Sequence, residues 1–309
     1  MNGIKILESF GFKTDEEPKS IYPYSPVYRV RGEKYDFIIK KTQRTIERAQ
    51  RLIYFTKYLK ENGIKVVTPV DTKRDNPQQI GGDIYIVYPF IVGGTYTGTN
   101  DEIYDSGRLL GEIHRLSPEV NNFDLPKYNV FDFNIEEVHE SVQNIENYAK
   151  SVNLKIDIYK LKEKLIQIVP QQEELKNSRL PYVATPHDFK ANNLIFNPDP
   201  YLIDPDNATW LPKVFDLALV LLLFHNELST APDEIFTPEQ WQIFLSGYTK
   251  SVSITELEKE YWQRALEHVF LDEVMWLMAE CEEDWSNPSQ LKLFGCLIKL
   301  IIDSSDYHL

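Results

Sequence analysis

Cysteine is scarce in this chain. Two residues, Cys281 and Cys296, stand in 309, with neither the density of a disulfide-stapled scaffold nor the spacing of a zinc site. Long apolar runs are missing as well. The longest, Leu217 to Phe224, is flanked by Asp216 and His225, well short of the ~18 residues a membrane helix needs. It reads as a buried helix, and no membrane partner is expected. Met1 to Phe12 lacks a basic segment followed by an apolar one, so no signal peptide is expected and a cytoplasmic location is. With 13 Gly and 18 Pro, the chain is neither collagen-like nor of low complexity.

Positive charge is short where a nucleic-acid surface would need it. The formal net charge is −14. Residues 1–100 hold 16 basic and 11 acidic side chains, whereas the rest of the chain holds 17 basic and 36 acidic. That imbalance argues against nucleic acid as a partner and favours a cationic one, because an acidic cleft concentrates cations. What remains is an ordinary globular composition, 42% hydrophobic and 13% aromatic, of a length that suggests about two lobes.

Met1 to Phe12 reads as a short helix. Val27 to Arg31 and Tyr35 to Lys41 read as strands joined by a turn at Gly32-Glu33-Lys34. Helical spacing follows from Gln43 to Asn62, ended by Gly63. Ile64 to Val70 and Asp83 to Tyr88 read as two more strands, separated by turn residues Arg74 to Pro77. Ile91-Val92-Gly93-Gly94 and a polar loop from Thr95 to Asn100 then break the pattern, so a boundary is expected between a lobe of residues 1–92 and one of residues 93–309. Helical periods dominate from Asp101 onward. The exception is Val183 to Asp206, a strand–turn–strand stretch dense in polar residues, where functional loops tend to sit.

That stretch reads Thr185-Pro186-His187-Asp188-Phe189-Lys190-Ala191-Asn192-Asn193. Asp204 closes the run Tyr201-Leu202-Ile203, and Asp216 opens Asp216-Leu217-Ala218. Phosphoryl transfer needs a carboxylate to orient the attacking hydroxyl, oxygen ligands for a divalent cation and cations for the phosphates. Asp188, Asn193, Asp204 and Lys190 supply that set.

These residues resemble the D-x-x-x-x-N loop, the strand ending in I-D and the D-L-A helix start of the kinase-like fold, most closely its aminoglycoside phosphotransferase branch of small-molecule kinases. The resemblance extends over most of the chain. Phe37-Ile38-Ile39-Lys40 is similar to the strand whose lysine grips the α/β-phosphates, and Ser25-Pro26-Val27-Tyr28-Arg29-Val30 to the run over the nucleotide. Val87 to Gly93 is similar to the hinge against which adenine stacks, and Leu109 to Leu116 to the helix after it.

The resemblance implies an α+β, bilobal protein-kinase-like fold: a small N-lobe with an antiparallel sheet and one long helix, and a larger, mostly helical C-lobe. It implies Asp188 as catalytic base and Lys190 on the transferred phosphate. Asn193 and Asp204, joined by Asp206, are the implied Mg²⁺ ligands, with Asp216 bracing the loop. For the nucleotide, ATP or GTP, it implies Lys40, Ser25, Tyr88, Phe90 and Ile91, with Glu47 as the helix carboxylate paired with Lys40. Lys40 and Lys41 are neighbours on a strand and point to opposite faces, and the resemblance selects Lys40.

The chain departs from the pattern in places. Pro186 stands where the family usually has His, and His187 sits beside the aspartate instead. No G-x-G-x-x-G loop is present; Tyr22-Pro23-Tyr24-Ser25-Pro26 makes a stiff segment there. His114 and His187 read as bracing residues. Trp276, with Met275 and Met278, reads as core. The acidic stretch Asp272-Glu273 and Glu280-Cys281-Glu282-Glu283-Asp284-Trp285 falls where this branch builds its acceptor pocket, with Trp285 as a stacking surface. The expected partner is a small, cationic hydroxyl acceptor, such as an aminoglycoside or aminocyclitol antibiotic. A kinase of choline, homoserine, methylthioribose or a sugar is the alternative within the enzyme class, and a non-catalytic kinase-like protein the alternative outside it. A protein kinase is disfavoured, because eleven residues between Asp204 and Asp216 leave no room for a substrate-docking segment.

Overall fold

Alternating apolar positions build a four-stranded antiparallel sheet in the first part of the chain. The computed structural model describes residues 2–22 and 25–309; Met1 and the Pro23-Tyr24 centre of the expected stiff segment lie outside the described residues. Helix α1 (Gly3–Ser9) is capped by the Asn2 side chain. Strands β1 (Val27–Val30) and β2 (Phe37–Thr42) follow, then helix α2 (Ile46–Glu61), β3 (Gln78–Ile80) and β4 (Asp83–Pro89). The sheet order is β1-β2-β4-β3. Its period-2 pattern sends Ile39, Tyr85 and Val87 to one face, where they pack with Ile6, Leu7 and Phe10 of the α1 region. Ile38, Ile86 and Tyr88 go to the other face, against Ala49 of α2. Lys40 shares that second face, while Lys41 turns away to Asp83 at 2.9 Å.

The larger part contains β5 (Gly94–Thr95), α3 (Asn100–Arg115), α4 (Ile135–Ser151), α5 (Ile158–Ile168) and α6 (Gln171–Asn177). Strands β6 (Tyr182–Thr185), β7 (Leu194–Phe196), β8 (Pro200–Leu202) and β9 (Thr209–Pro212) come next. Helices α7 (Lys213–Leu223), α8 (Pro238–Tyr248), α9 (Glu256–Val269), α10 (Met275–Glu280) and α11 (Pro288–Ile302) complete the chain. A five-residue π-helical turn, Phe270–Val274, joins α9 to α10. The first ten residues of α7 are all buried, as the run after Asp216 predicts. Helices α3 and α8 lie so close that a Cβ on Gly107 would meet Phe244 O at 2.1 Å and one on Gly111 would meet Tyr248 O at 2.3 Å. No helix among the described residues is long and apolar enough to cross a membrane.

Two local expectations fail, and one strand goes unannounced. Ile64 to Val70 is not a strand: it is an extended segment tied at single points, Val67 N donating to Leu202 O and Val70 N to Val87 O. β3, carried by the polar Gln78 and Gln79, has no apolar alternation to announce it. The polar loop expected from Thr95 begins inside β5, which pairs with β7, and its Tyr96 is fully buried.

Candidate active site

The loop between β6 and β7 carries three of the residues singled out by the sequence, Asp188, Lys190 and Asn193. His187 and Asp188 both adopt positive φ, +53° and +52°, a conformation that costs non-glycine residues energy and recurs at functional sites. The 3₁₀ turn Ala191–Asn193 follows and brings Asn193 back under the loop. Its Nδ2 donates to Asp188 O at 2.9 Å and approaches Asp188 Oδ2 at 3.4 Å, which leaves the amide oxygen as that side chain's donor toward a cation. Asp188 keeps 38% of its side chain exposed, enough to meet a ligand, and its Oδ1 lies 3.3 Å from Lys190 Nζ. Lys190 also pairs with Glu227 Oε2 at 2.6 Å. Burial acts to lower the pKa of Lys190, but the Asp188 and Glu227 carboxylates outweigh it and hold it above its ordinary value.

The loop rests on the fully buried Asp216 of α7. Its Oδ2 accepts from Thr185 Oγ1 at 2.9 Å and lies 2.9 Å from His114 Nε2; His114 Nδ1 is 2.8 Å from the Tyr248 hydroxyl. Asp216 Oδ1 is buried without a hydrogen-bond partner among the described residues. Pro186, which has no N–H to donate, directly follows Thr185, the residue that Asp216 Oδ2 holds.

A second cluster spans the sheet and the β8–β9 connection. Lys40 Nζ lies 2.6 Å from Asp204 Oδ1 and 3.1 Å from Asp206 Oδ2. Burial acts to lower the pKa of Lys40, but Asp206 and Asp204 together raise it. Burial raises that of Asp206 against the pull of Lys40. Tyr88 donates its hydroxyl to Asp206 Oδ1 at 3.1 Å. Ile38 and Ile91 from the first part of the chain and Tyr201 and Ile203 from the second, all partly buried, pack against the same small core of Ala49, Val67, Ile86 and Tyr88. Arg44, at the start of α2, hydrogen-bonds Asn207.

Not every expected residue joins these clusters. Glu47 sits exposed in the first turn of α2, its pKa lowered by its own backbone N–H and by Thr45, and Lys40 takes its carboxylates from Asp204 and Asp206 instead. Phe90 holds its ring under Arg29, its centroid 3.8 Å from the guanidinium carbon. Ser25 precedes β1, its carbonyl accepting from Ser20 Oγ at 3.1 Å. Trp285 is 2% exposed, packed on Phe294, with Nε1 donating to Met278 O, so it offers no stacking surface. Trp276, expected in the core, is 58% exposed.

A cavity of about 340 Å³ opens beside the loop, lined by Asp188, Lys190, Asn207, Asn226, Leu223 and Glu273 among others. Glu273 belongs to the π-helical turn, a widening that recurs at functional sites. Its neighbour Asp272 accepts from the Tyr128 hydroxyl at 2.6 Å, and burial pushes the Asp272 carboxyl up to about 6. Asn207, Asn226 and Glu227 carry no motif, and only their place after Asp206 and after the apolar run of α7 could have pointed to them.

The two-part architecture, antiparallel sheet and loop-borne carboxylates define a protein-kinase-like fold. The family described as "Phosphotransferase enzyme family" matches residues 24–249, and the chain belongs to it. It is a small-molecule kinase that transfers phosphate to a hydroxyl group. No curated protein sequence matches the chain. Among solved structures it is similar to an amicoumacin kinase in complex with AMP-PNP and Ca²⁺, at 16% identity over 97% of this chain and 92% of that one, with a TM-score of 0.66. A microcompartment-associated aminopropanol kinase gives 13% identity over 99% and 98%, with a TM-score of 0.69. A choline kinase from Streptococcus pneumoniae gives 15% identity over 94% of each chain, with a TM-score of 0.56.

Proposed function

We propose that the chain transfers the γ-phosphate of ATP or GTP to a hydroxyl of a small cationic molecule of the aminoglycoside or aminocyclitol kind. The single observation that carries this reading is the cavity that Glu273 lines together with Asp188 and Lys190, a carboxylate for an ammonium in the same cavity as a base for a hydroxyl. The surplus of 36 acidic over 17 basic side chains beyond residue 100 supports it. In this reading residues 1–92 form the nucleotide-binding lobe and residues 93–309 the catalytic and acceptor-binding lobe.

Asp188 orients the acceptor hydroxyl and takes its proton. The hydroxyl oxygen bonds to the γ-phosphorus, the bond from that phosphorus to the β–γ bridging oxygen breaks, and the electron pair leaves with the nucleoside diphosphate. Lys40 and Lys190 bring positive charge to the phosphates. Ile38, Ile91, Tyr201 and Ile203, apolar groups that pack on one small core, take the base, and Tyr88 braces Asp206 through its hydroxyl.

Asp204, Asp206 and the Asn193 amide oxygen would hold Mg²⁺. These are hard oxygen donors, and among the described residues no three Asp, Glu, His or Cys side chains group closely enough to hold a metal alone. That fits an ion that draws its other ligands from phosphates and water. Bound there, Mg²⁺ would supply neutralisation of phosphate charge.

A second reading, a small amino alcohol such as choline, is favoured by the size of the cavity. At about 340 Å³ it lies at the low end for ligand sites, nearer one small molecule than several linked rings. The test is nucleotide turnover with Mg²⁺ across aminoglycosides, aminocyclitols, choline and amino sugars, with neutral sugars and sugar acids beside them and Asp188→Asn as control. Turnover raised by one cationic acceptor and lost in the variant is expected. Turnover raised only by neutral or anionic acceptors refutes the cationic assignment.

A further inference from the structure

We infer that Glu227 is a positioning residue of this kinase, a counter-anchor that keeps Lys190 from closing onto Asp188. The inference rests on the kinase reading of Asp188 and Lys190. The Lys190 ammonium stands between two carboxylates and leans to one side, 2.6 Å from Glu227 Oε2 against 3.3 Å from Asp188 Oδ1. A lysine beside a lone carboxylate would settle at the shorter distance to it. The ammonium would then cover the oxygen that has to meet the acceptor hydroxyl. A second carboxylate shares the charge and leaves Asp188 open toward the cavity.

The backbone supports a dedicated role. Glu227 has φ +63°, a region that disfavours residues with a Cβ and is occupied where function requires it. Its neighbour Asn226 is buried, held by Gln290 Nε2 at 2.6 Å, and lines the same cavity as Asp188 and Lys190. The end of α7 is thus fixed in the conformation that aims Glu227 at Lys190. A merely solvated acid at a helix end would need neither the strained backbone nor a lysine whose side chain is only 14% exposed.

Hydrolysis of Mg²⁺–ATP, with water as the acceptor, reads the effect without an identified acceptor. Glu227→Gln removes the charge and Glu227→Gly also relieves the positive φ. Both are expected to lower kcat by about 10- to 100-fold, the scale of an ångström-level misplacement, with the KM for ATP changed less than about threefold. Glu227→Gly is expected to lose activity although its fold is no less stable, which separates positioning from folding. Glu227→Asp restores part of kcat. In a Lys190→Ala background, Glu227→Gln has no further effect, because it acts through that lysine. A kcat equal to wild type in Glu227→Gln, or an equal further loss in the Lys190→Ala background, overturns the assignment. Asp188→Asn, run in parallel, separates the two readings. If it is inactive while Glu227→Gln matches wild type, only Glu227 is misassigned; if it hydrolyses ATP at full rate, the kinase reading of the loop falls as well.

Discussion

The contact between α3 and α8 allows one substitution to be followed from packing to the active site. Gly111→Ala places a methyl 2.3 Å from Tyr248 O and 3.0 Å from its carbonyl carbon. Real Cβ contacts do not fall below 3.0 Å, so the helices must part by about 0.7 Å. Tyr248 also carries the hydroxyl that lies 2.8 Å from His114 Nδ1. The same displacement takes that bond to about 3.5 Å, the end of useful hydrogen-bonding range. Overpacking costs about 1–3 kcal/mol and a weakened buried hydrogen bond about 1–3 kcal/mol. Alanine in place of glycine in a helix returns about 1 kcal/mol. The net loss is about 3 kcal/mol, which for a chain of this length lowers Tm by about 5 °C if it melts as one unit. Gly295→Ala in α11 is the control, because nothing lies within 4 Å of its added methyl, and it should gain about 1 kcal/mol. Thermal denaturation of both variants checks the sign. Turnover should fall in the first alone, since His114 holds Asp216 and Asp216 holds Thr185, which leads into the loop of Asp188. A Gly111→Ala protein as stable as Gly295→Ala would refute the close approach.

Lys40→Met removes the ammonium shared by Asp204 and Asp206 and should reduce kcat/KM for the nucleotide about 100-fold or more; a value within threefold of wild type excludes phosphate contact. Asp272 binds its proton more tightly folded than unfolded, its pKa raised from 3.8 to about 6. Its contribution therefore favours the fold at low pH and is lost as pH rises from about 4 to about 6, by at most about 3 kcal/mol. Denaturant titrations of wild type and Asp272→Asn across that window should converge at acid pH and separate above it, the variant becoming the more stable; parallel curves contradict the burial. Trp285→Ala should cost about 3–5 kcal/mol and Trp276→Ala less than about 0.5 kcal/mol, by the same denaturant measurement, and the reverse order would contradict their burial.

Elements that bury a continuous apolar face were readable from the sequence. The period of Leu52, Phe55 and Leu59 placed α2, and the run after Asp216 placed α7, because burial there is dictated by local pattern. Strand β2 and the opposite directions of Lys40 and Lys41 followed from period 2. Ile64 to Val70 misled because its apolar residues serve two distant partners, Leu202 and Val87, without a continuous ladder. The tryptophans misled for a related reason: composition ranks them as equals, and only tertiary packing leaves Trp276 of α10 outside and buries Trp285 of the following 3₁₀ turn against Phe294 and Tyr148. Within the site, the spacing of Asp188, Asn193 and Asp204 was legible because the loop is short. Glu227 was not, since its meeting with Lys190 depends on where α7 ends and on one positive φ. Nor was the displacement of Glu47, whose acidic charge suits the first turn of a helix as readily as a lysine partner.

The glycine faces that interlock α3 with α8 also fix an order of events during synthesis. Gly107 leaves the ribosome 137 residues before its neighbour Phe244, an interval of about 7–27 s at ordinary elongation rates. Through that time the Gly107 and Gly111 face of α3 has no partner helix. A nascent chain halted before Pro238 would carry that bare face permanently, and chaperone demand should peak with such intermediates.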